Sequence, residues 1–311
     1  CFFLIAGGTP ALALNQVFDD FFVHTQGHGR RVPTLKFPYI QIIAYLNEII
    51  SRIQGVTLQT NTPLHHELTW FSERWSVYKN LIGNNYLYHY DIHRCIHKML
   101  AGHFFQKPFS LLDLGCGDAS FITNTLKGTT VSRYYGIDLS EVALKEAAKN
   151  LAGSDFEPTL VCGNVAENIV GLQEDFDAIV CGYSLHHLTI QEKEAVFSNC
   201  RRILREGGLI LIYDIVRKRN ESRDEYLYRY WNISERCWTN ISKEEIALLK
   251  AHAMESDFPE DMDYFLNQAR KYGFKRLETR YQDVYETVAL MCLYGWHFEK
   301  SGGYTSLAKR P

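Results

Sequence analysis

SLLDLGCGDASF, Ser110 to Phe121, is the stretch that decides the fold of this 311-residue chain. Leu111, Leu112 and Leu114 make a short apolar run with one acid, Asp113, and the run ends in Gly115-Cys116-Gly117. Apolar residues at consecutive positions predict a strand buried on both faces, as in a parallel sheet. The glycines predict a tight turn that lets a ligand approach bare N–H groups, with a helix opening near Asp118. Turns of this kind sit at the carboxyl ends of strands, where open α/β sheets bind nucleotides.

A Gly-x-Gly turn alone is a weak signal. The dinucleotide fingerprint wants a third glycine, and that position holds Ser120. One strand–helix–strand unit later, Tyr134-Tyr135-Gly136-Ile137-Asp138-Leu139-Ser140 is a second apolar strand ending in a carboxylate. An acid there can accept both ribose hydroxyls of a nucleoside. A nicotinamide-dependent oxidoreductase shares these two features, so the rest of the chain has to decide.

Downstream the alternation is strand–helix throughout. Ser140 is placed to cap a helix running to about Asn150. Thr159–Gly163 reads as a third strand and Phe176–Cys181 as a fourth, followed by Gly182-Tyr183-Ser184-Leu185-His186-His187-Leu188. A helix over 191–204 is expected to stop at Glu206-Gly207-Gly208, ahead of a fifth strand, Leu209–Tyr213. Residues 215–258 are rich in charge and aromatics, with a helix expected at Ile241–Met254. Pro259 should open a further helix to about Lys271, and strands Arg276–Tyr281 and Thr287–Leu293 close the pattern. Upstream, amphipathic helices are expected at Tyr39–Ile53, Thr62–Leu81 and Asn84–His103. The last carries His89, His93 and His97 as one stripe, read as a partly exposed face beside the cleft.

Composition narrows the class. The chain is 46% hydrophobic and 22% charged, with a net charge of −3, so no global field draws it to nucleic acid or anionic membrane. Its eight cysteines are scattered without a C-x-x-C pair, as expected of reduced thiols in a cytoplasmic protein. Cys1–Leu14 is apolar but broken by Gly7, Gly8 and Pro10, too short to span a bilayer and lacking the basic start of a signal peptide.

In order and spacing, these motifs resemble the S-adenosylmethionine-binding core of the class I methyltransferases, over roughly residues 85–295. Asp113, Gly115 and Gly117 fit the family's D-x-G-x-G motif, with Cys116 inside the turn that faces the methionine part of the cofactor. Asp138, followed by Leu139, fits the ribose-binding acid. Asn164-Val165 stands where many members place an acid against the adenine amino group, and an asparagine can still accept there through its amide oxygen. Asp177 with Cys181 and Gly182 fits the fourth-strand motif, whose exit loop lines cofactor and substrate. Asp118 and Ser120 depart from the commonest residues of the first turn without blocking it.

The resemblance implies a doubly wound α/β fold, a mainly parallel seven-stranded sheet of order 3-2-1-4-5-7-6 with the last strand antiparallel. An N-terminal helical cap (1–83), a catalytic domain (84–298) with 215–258 as a lid, and a tail (299–311) complete the expected organisation. The implied activity is in-line methyl transfer from S-adenosylmethionine to a small-molecule acceptor, by a monomer or homodimer. His186 and His187 are the candidates for a general base or for positioning. Tyr86, Tyr90, Tyr183, Tyr226, Tyr230 and Trp231 are candidates for the substrate pocket, and Cys116 and Cys181 read as packing residues rather than nucleophiles. No metal is expected, because nothing near the histidine stripe completes a ligand set and adjacent histidines make a poor chelate. A nucleic-acid acceptor is disfavoured by the lack of an N/D-P-P-Y/F motif after strand four and of any Pro-Cys pair. A protein or RNA acceptor, or a non-catalytic binding role, stays open as an alternative.

Overall fold

The computed structural model describes residues 75–156 and 158–295. The expected helix at 39–53, most of that at 62–81, and the tail 299–311 lie outside the described residues. The first described helix is α1 (Trp75–Gly83), followed by α2 (His89–His103). Then come β1 (Phe109–Leu114), α3 (Ser120–Leu126), β2 (Val131–Asp138), α4 (Glu141–Asn150) and β3 (Pro158–Cys162). After α5 (Val165–Gly171) and β4 (Phe176–Gly182), a 3-10 turn at Leu185–His187 leads into α6 (Ile190–Ile203) and β5 (Leu204–Arg217). The chain continues through α7 (Arg223–Cys237), α8 (Lys243–Ser256), β6 (Glu260–Asp261), α9 (Met262–Lys271), β7 (Arg276–Gln282) and β8 (Val288–Tyr294).

Seven strands lie in the order β3-β2-β1-β4-β5-β8-β7, and the two-residue β6 pairs with β5 off this path. Every pairing among β1 to β6 is parallel, while β8 runs antiparallel to both β5 and β7. This is the expected order, with β6 the one addition. The two-residue period of each strand divides the core between two faces. Leu111, Val180, Leu211 and Leu290 join one buried cluster, and Leu112, Ile179, Ile212 and Met291 join the other. Both faces of the central strands are therefore covered, which is why β1, β4 and β8 read as nearly unbroken apolar runs, while the outer β3 and β7 are mixed and partly exposed. No helix among the described residues is long and apolar enough to cross a membrane.

Local chemistry sets the helix starts. Ser140 accepts from the Ala143 N–H at 3.2 Å, as the sequence predicts. Thr189/Glu192, Ser222/Glu225 and Ser242/Glu245 form reciprocal capping boxes on α6, α7 and α8. Several boundaries differ from expectation. α2 starts at His89 because Asn85 and Tyr88 adopt left-handed conformations that make a turn. α3 starts at Ser120, with Asp118 accepting from its N–H and hydroxyl. Gly207-Gly208 lies inside β5, where the register slips between Phe176–Leu204 and Ala178–Leu209, rather than in a turn before it. α9 begins three residues after Pro259, capped by Asp261, because Glu260 and Asp261 are drawn into the sheet as β6.

Candidate functional site

The carboxyl ends of β1 to β4 converge on one cavity of about 230 Å³. Gly115 turns there with φ +74°, and a Cβ added to it would sit 1.8 Å from Ser184 Oγ. Only glycine lets the β1 turn pass this close to the β4 exit loop. Asp138, at the end of β2, accepts from the Gly117 N–H through Oδ2 and from the Ser140 N–H through Oδ1, both at 2.8 Å. It thereby ties the first turn to the start of α4. Burial pushes its pKa up, against the lowering effect of the Ser140 and Gly117 N–H groups. Asn164 Oδ1 accepts from the Ala166 N–H at 2.7 Å and caps α5 while lining the cavity.

The residues present fit a nucleoside. Each Asp138 oxygen accepts one of these backbone N–H bonds, and a carboxylate oxygen has two lone pairs, so both retain capacity for vicinal hydroxyls. Leu139 and Val165 give apolar flanks, and the Cβ direction of Gly117 opens onto space with no atom within 4 Å.

Of the expected cofactor residues, Gly115, Gly117, Asp138, Leu139, Asn164, Val165 and Gly182 line the cavity, whereas Asp113, Cys116 and Cys181 do not. Asp113 is buried and accepts the Tyr134 hydroxyl at 2.8 Å, and burial pushes its carboxyl up to about 7. Cys116 packs toward Gly136, where an added Cβ would lie 2.8 Å from its sulfur. Cys181 belongs to the core, and burial raises its thiol far above the ordinary value. These three support the turns from within the protein instead of facing a ligand. Strand alternation spends the Asp113 and Cys181 side chains on the sheet faces, and Cys116, in the turn after β1, packs back against β2 at Gly136.

The opposite wall comes from α7 and α8. Tyr226, Tyr230, Trp231, Trp238, Leu249 and His252 line it, with Tyr183 from the β4 exit loop. Tyr226 and Tyr230 stack at 5.7 Å, and Trp231 meets Trp238 edge-on at 5.7 Å. Tyr226 donates its hydroxyl to the Thr287 carbonyl, and Tyr183 donates to the Leu87 carbonyl, so both are fixed. Trp231 Nε1 is buried with no hydrogen-bond partner among the described residues. Tyr90 and Tyr86 do not reach the cavity. Tyr90 is 58% exposed against Phe121, and Tyr86 stacks on Trp238 at 5.4 Å. The histidine stripe is likewise corrected, because its face turns inward onto α3 and the sheet. His93 is buried between Thr125 Oγ1 (2.8 Å) and the Tyr213 hydroxyl (3.2 Å), and His97 bonds the Thr125 carbonyl. Burial lowers His89 to about 4 and His93 to about 3.

His186 and His187 do line the cavity, on the 3-10 turn after β4. His186 Nδ1 bonds the Asp214 carboxylate, which also accepts the His186 N–H at 3.2 Å. Burial lowers the His186 pKa, but Asp214 and Asp257 outweigh it and hold the imidazole above its ordinary value. Burial, with His186 and His252 adding to it, drives His187 far below. Asp257, just past α8, lies 3.5 Å from His187 Nδ1 and 3.9 Å from His186 Nε2. Its carboxyl is raised to about 6 by burial. The loop is anchored by the Phe258 N–H, which donates to the His186 carbonyl at 2.7 Å. Sequence reasoning missed Asp214, Asp257, His252, Trp238 and Tyr78 as site residues. They come from four separate segments, and no local pattern marks them.

Residues 111–208 match the methyltransferase-domain family Methyltransf_25. A probable methyltransferase of Aspergillus luteorubrus, ltbC, is 25% identical over 135 residues, 41% of this chain and 47% of that protein. The chain thus spans about half the length of this relative. The phosphoethanolamine N-methyltransferase of Plasmodium falciparum is 24% identical over 209 residues, 65% of this chain and 74% of that one. The plantazolicin methyltransferase BpumL, solved with a monoazolic desmethylPZN analog and SAH, has the same fold. Its TM-score is 0.55 at 12% identity, covering 82% of this chain and all of that one. Fold, motif order and sequence kinship agree: residues 111–208 match a methyltransferase domain, and the chain has the fold of a methyltransferase solved with SAH.

Proposed function

We propose that the chain methylates a small-molecule acceptor, with residues 84–298 as the catalytic domain and 215–258 as its lid. The observation that carries this reading is the continuity of the cavity. The glycine turns and Asp138 line one side, and the aromatic wall with His186 and His187 lines the other, in a single space of about 230 Å³. Bound S-adenosylmethionine supplies an activated methyl group on a sulfonium. The protein's task is then to hold the acceptor in line with that group, which can contribute roughly 7–11 kcal/mol of barrier reduction. Asp138, Leu139, Asn164 and Val165 hold the nucleoside, and Gly115, Gly117 and Gly182 let it approach the backbone. Tyr183, Tyr226, Tyr230 and Trp231 exclude water and offer ring faces that favour positive charge. His186 and His187 position the acceptor, or take its proton where the acceptor is a hydroxyl. The phosphate of phosphoethanolamine, the group named for one relative, finds no Lys or Arg among the described lining residues. An uncharged or cationic acceptor fits better.

The test is calorimetric titration with S-adenosylmethionine, followed by an assay of S-adenosylhomocysteine release over a panel of small amines, alcohols and thiols. Release that depends on one of these compounds supports the reading. Cofactor binding with no release from any of them, alongside labelling of proteins or RNA by a radioactive methyl donor, would refute it.

A further inference from the structure

We propose that His186, His187 and Asp257 form a binding site for one divalent transition cation of the zinc type. One donor atom from each lies within 4.8 Å of the other two. The two edges to Asp257 Oδ1, 3.5 Å from His187 Nδ1 and 3.9 Å from His186 Nε2, are close to what zinc requires. Bonds of about 2.0–2.2 Å at tetrahedral angles separate donors by about 3.3–3.6 Å, so the two Asp257 edges need at most a few tenths of an ångström. The edge between the imidazoles, within 4.8 Å, closes by up to about 1.5 Å. Two imidazoles and one carboxylate suit zinc and its neighbours better than magnesium or calcium.

Three further observations point the same way. Asp257 Oδ1 is buried and accepts no hydrogen bond from the described residues, a costly state that a cation relieves. His186 carries the support that metal-bound histidines have. Its Nδ1 is bonded to Asp214, which fixes the ring and leaves Nε2 facing Asp257. The charge balance also favours a cation. Asp214 and Asp257 surround the two imidazoles, and no Lys or Arg among the described residues lines the cavity. Of the nearby cations, Lys193 is bonded to Glu260 and the Phe258 carbonyl. Arg223, whose charge acts on Asp257, is bonded to the Asp257, Ala253 and Met254 carbonyls. The 3-10 turn explains how neighbouring histidines can serve together. Their rings lie 3.9 Å apart, tilted by 49°, and Asp257 faces both. All three residues line the cavity, so the fourth coordination position opens onto it. The site rests on its own geometry. Its use, holding an acceptor hydroxyl, amine or thiol in place of proton uptake by the two histidines, rests on the methyl-transfer reading.

The experiment takes the full chain, stripped with a chelator and dialysed, and titrates it with Zn²⁺ and with Co²⁺. Parallel titration with S-adenosylmethionine serves as the check of folding. One equivalent of Zn²⁺ is expected, with visible Co²⁺ bands of tetrahedral intensity. Asp257→Asn and His187→Ala should abolish both signals, and Asp214→Asn should weaken binding by about 10- to 100-fold, all with unchanged cofactor affinity. A protein that binds S-adenosylmethionine but takes up neither ion overturns the site, as does uptake undiminished by Asp257→Asn. Metal uptake without cofactor binding would keep the site and remove its role in methyl transfer.

Discussion

Asp138→Asn should cost the protein its cofactor affinity in a calculable way. Each Asp138 oxygen already holds one backbone N–H, from Gly117 and from Ser140, at 2.8 Å. Replacing one oxygen by NH₂ removes an acceptor for a ribose hydroxyl. It also sets a donor against whichever N–H that oxygen held. The lost bond to a charged group is worth about 1.5–3 kcal/mol, which is about 10- to 150-fold in Kd. The mismatched N–H costs about 1–3 kcal/mol of stability, because either the glycine turn or the α4 start loses its tie. Calorimetric titration with S-adenosylmethionine and S-adenosylhomocysteine measures the first quantity, and urea unfolding of the unliganded protein measures the second. Both cofactor forms should weaken equally if, as proposed, Asp138 holds the nucleoside they share. A Kd within twofold of wild type would refute the role of Asp138. Loss of S-adenosylmethionine binding alone would instead mean that the acid answers to the sulfonium.

Three further outcomes follow from the packing and the buried charge. In Gly182→Ala the new Cβ would meet the Tyr213 ring at 2.0 Å, so overpacking should destabilise the protein by about 1–3 kcal/mol, with an unchanged m-value in urea. A neutral effect would mean that the β4 end is less crowded than described. Leu112→Ala removes a side chain that is fully buried between β1 and its neighbours, and should cost about 2–5 kcal/mol in the same assay. Asp113 has a folded pKa of about 7 against an ordinary 3.8. The folded state therefore holds the extra proton between those values. Stability should fall as pH rises from about 4 to about 7, by at most about 1.4 kcal/mol per pH unit, and then level off. Asp113→Asn should remove that part of the slope, and an unaltered pH profile of unfolding would contradict the assignment.

What the sequence carried by itself was the sheet and half of the cavity. Unbroken apolar runs at β1, β4 and β5 announced strands covered on both faces, and Gly115-Cys116-Gly117 and Asp138 marked two strand ends that meet. These features are legible because strand period, glycine turns and helix caps act within a few residues along the chain. Even there the limits are local. Asp113, Cys116 and Cys181 belong to the right motifs, but their burial depends on what covers the sheet, which no motif records. The tertiary structure alone decided the other half. It set Asp214 under His186, swung Asp257 from the end of α8 to within 3.5 Å of His187, and turned Trp231 inward while leaving Tyr90 on the surface. Contacts between segments tens of residues apart are fixed by how helices pack over strand ends. Aromatic and charged residues on those helices look alike in sequence whether they face the cavity or water.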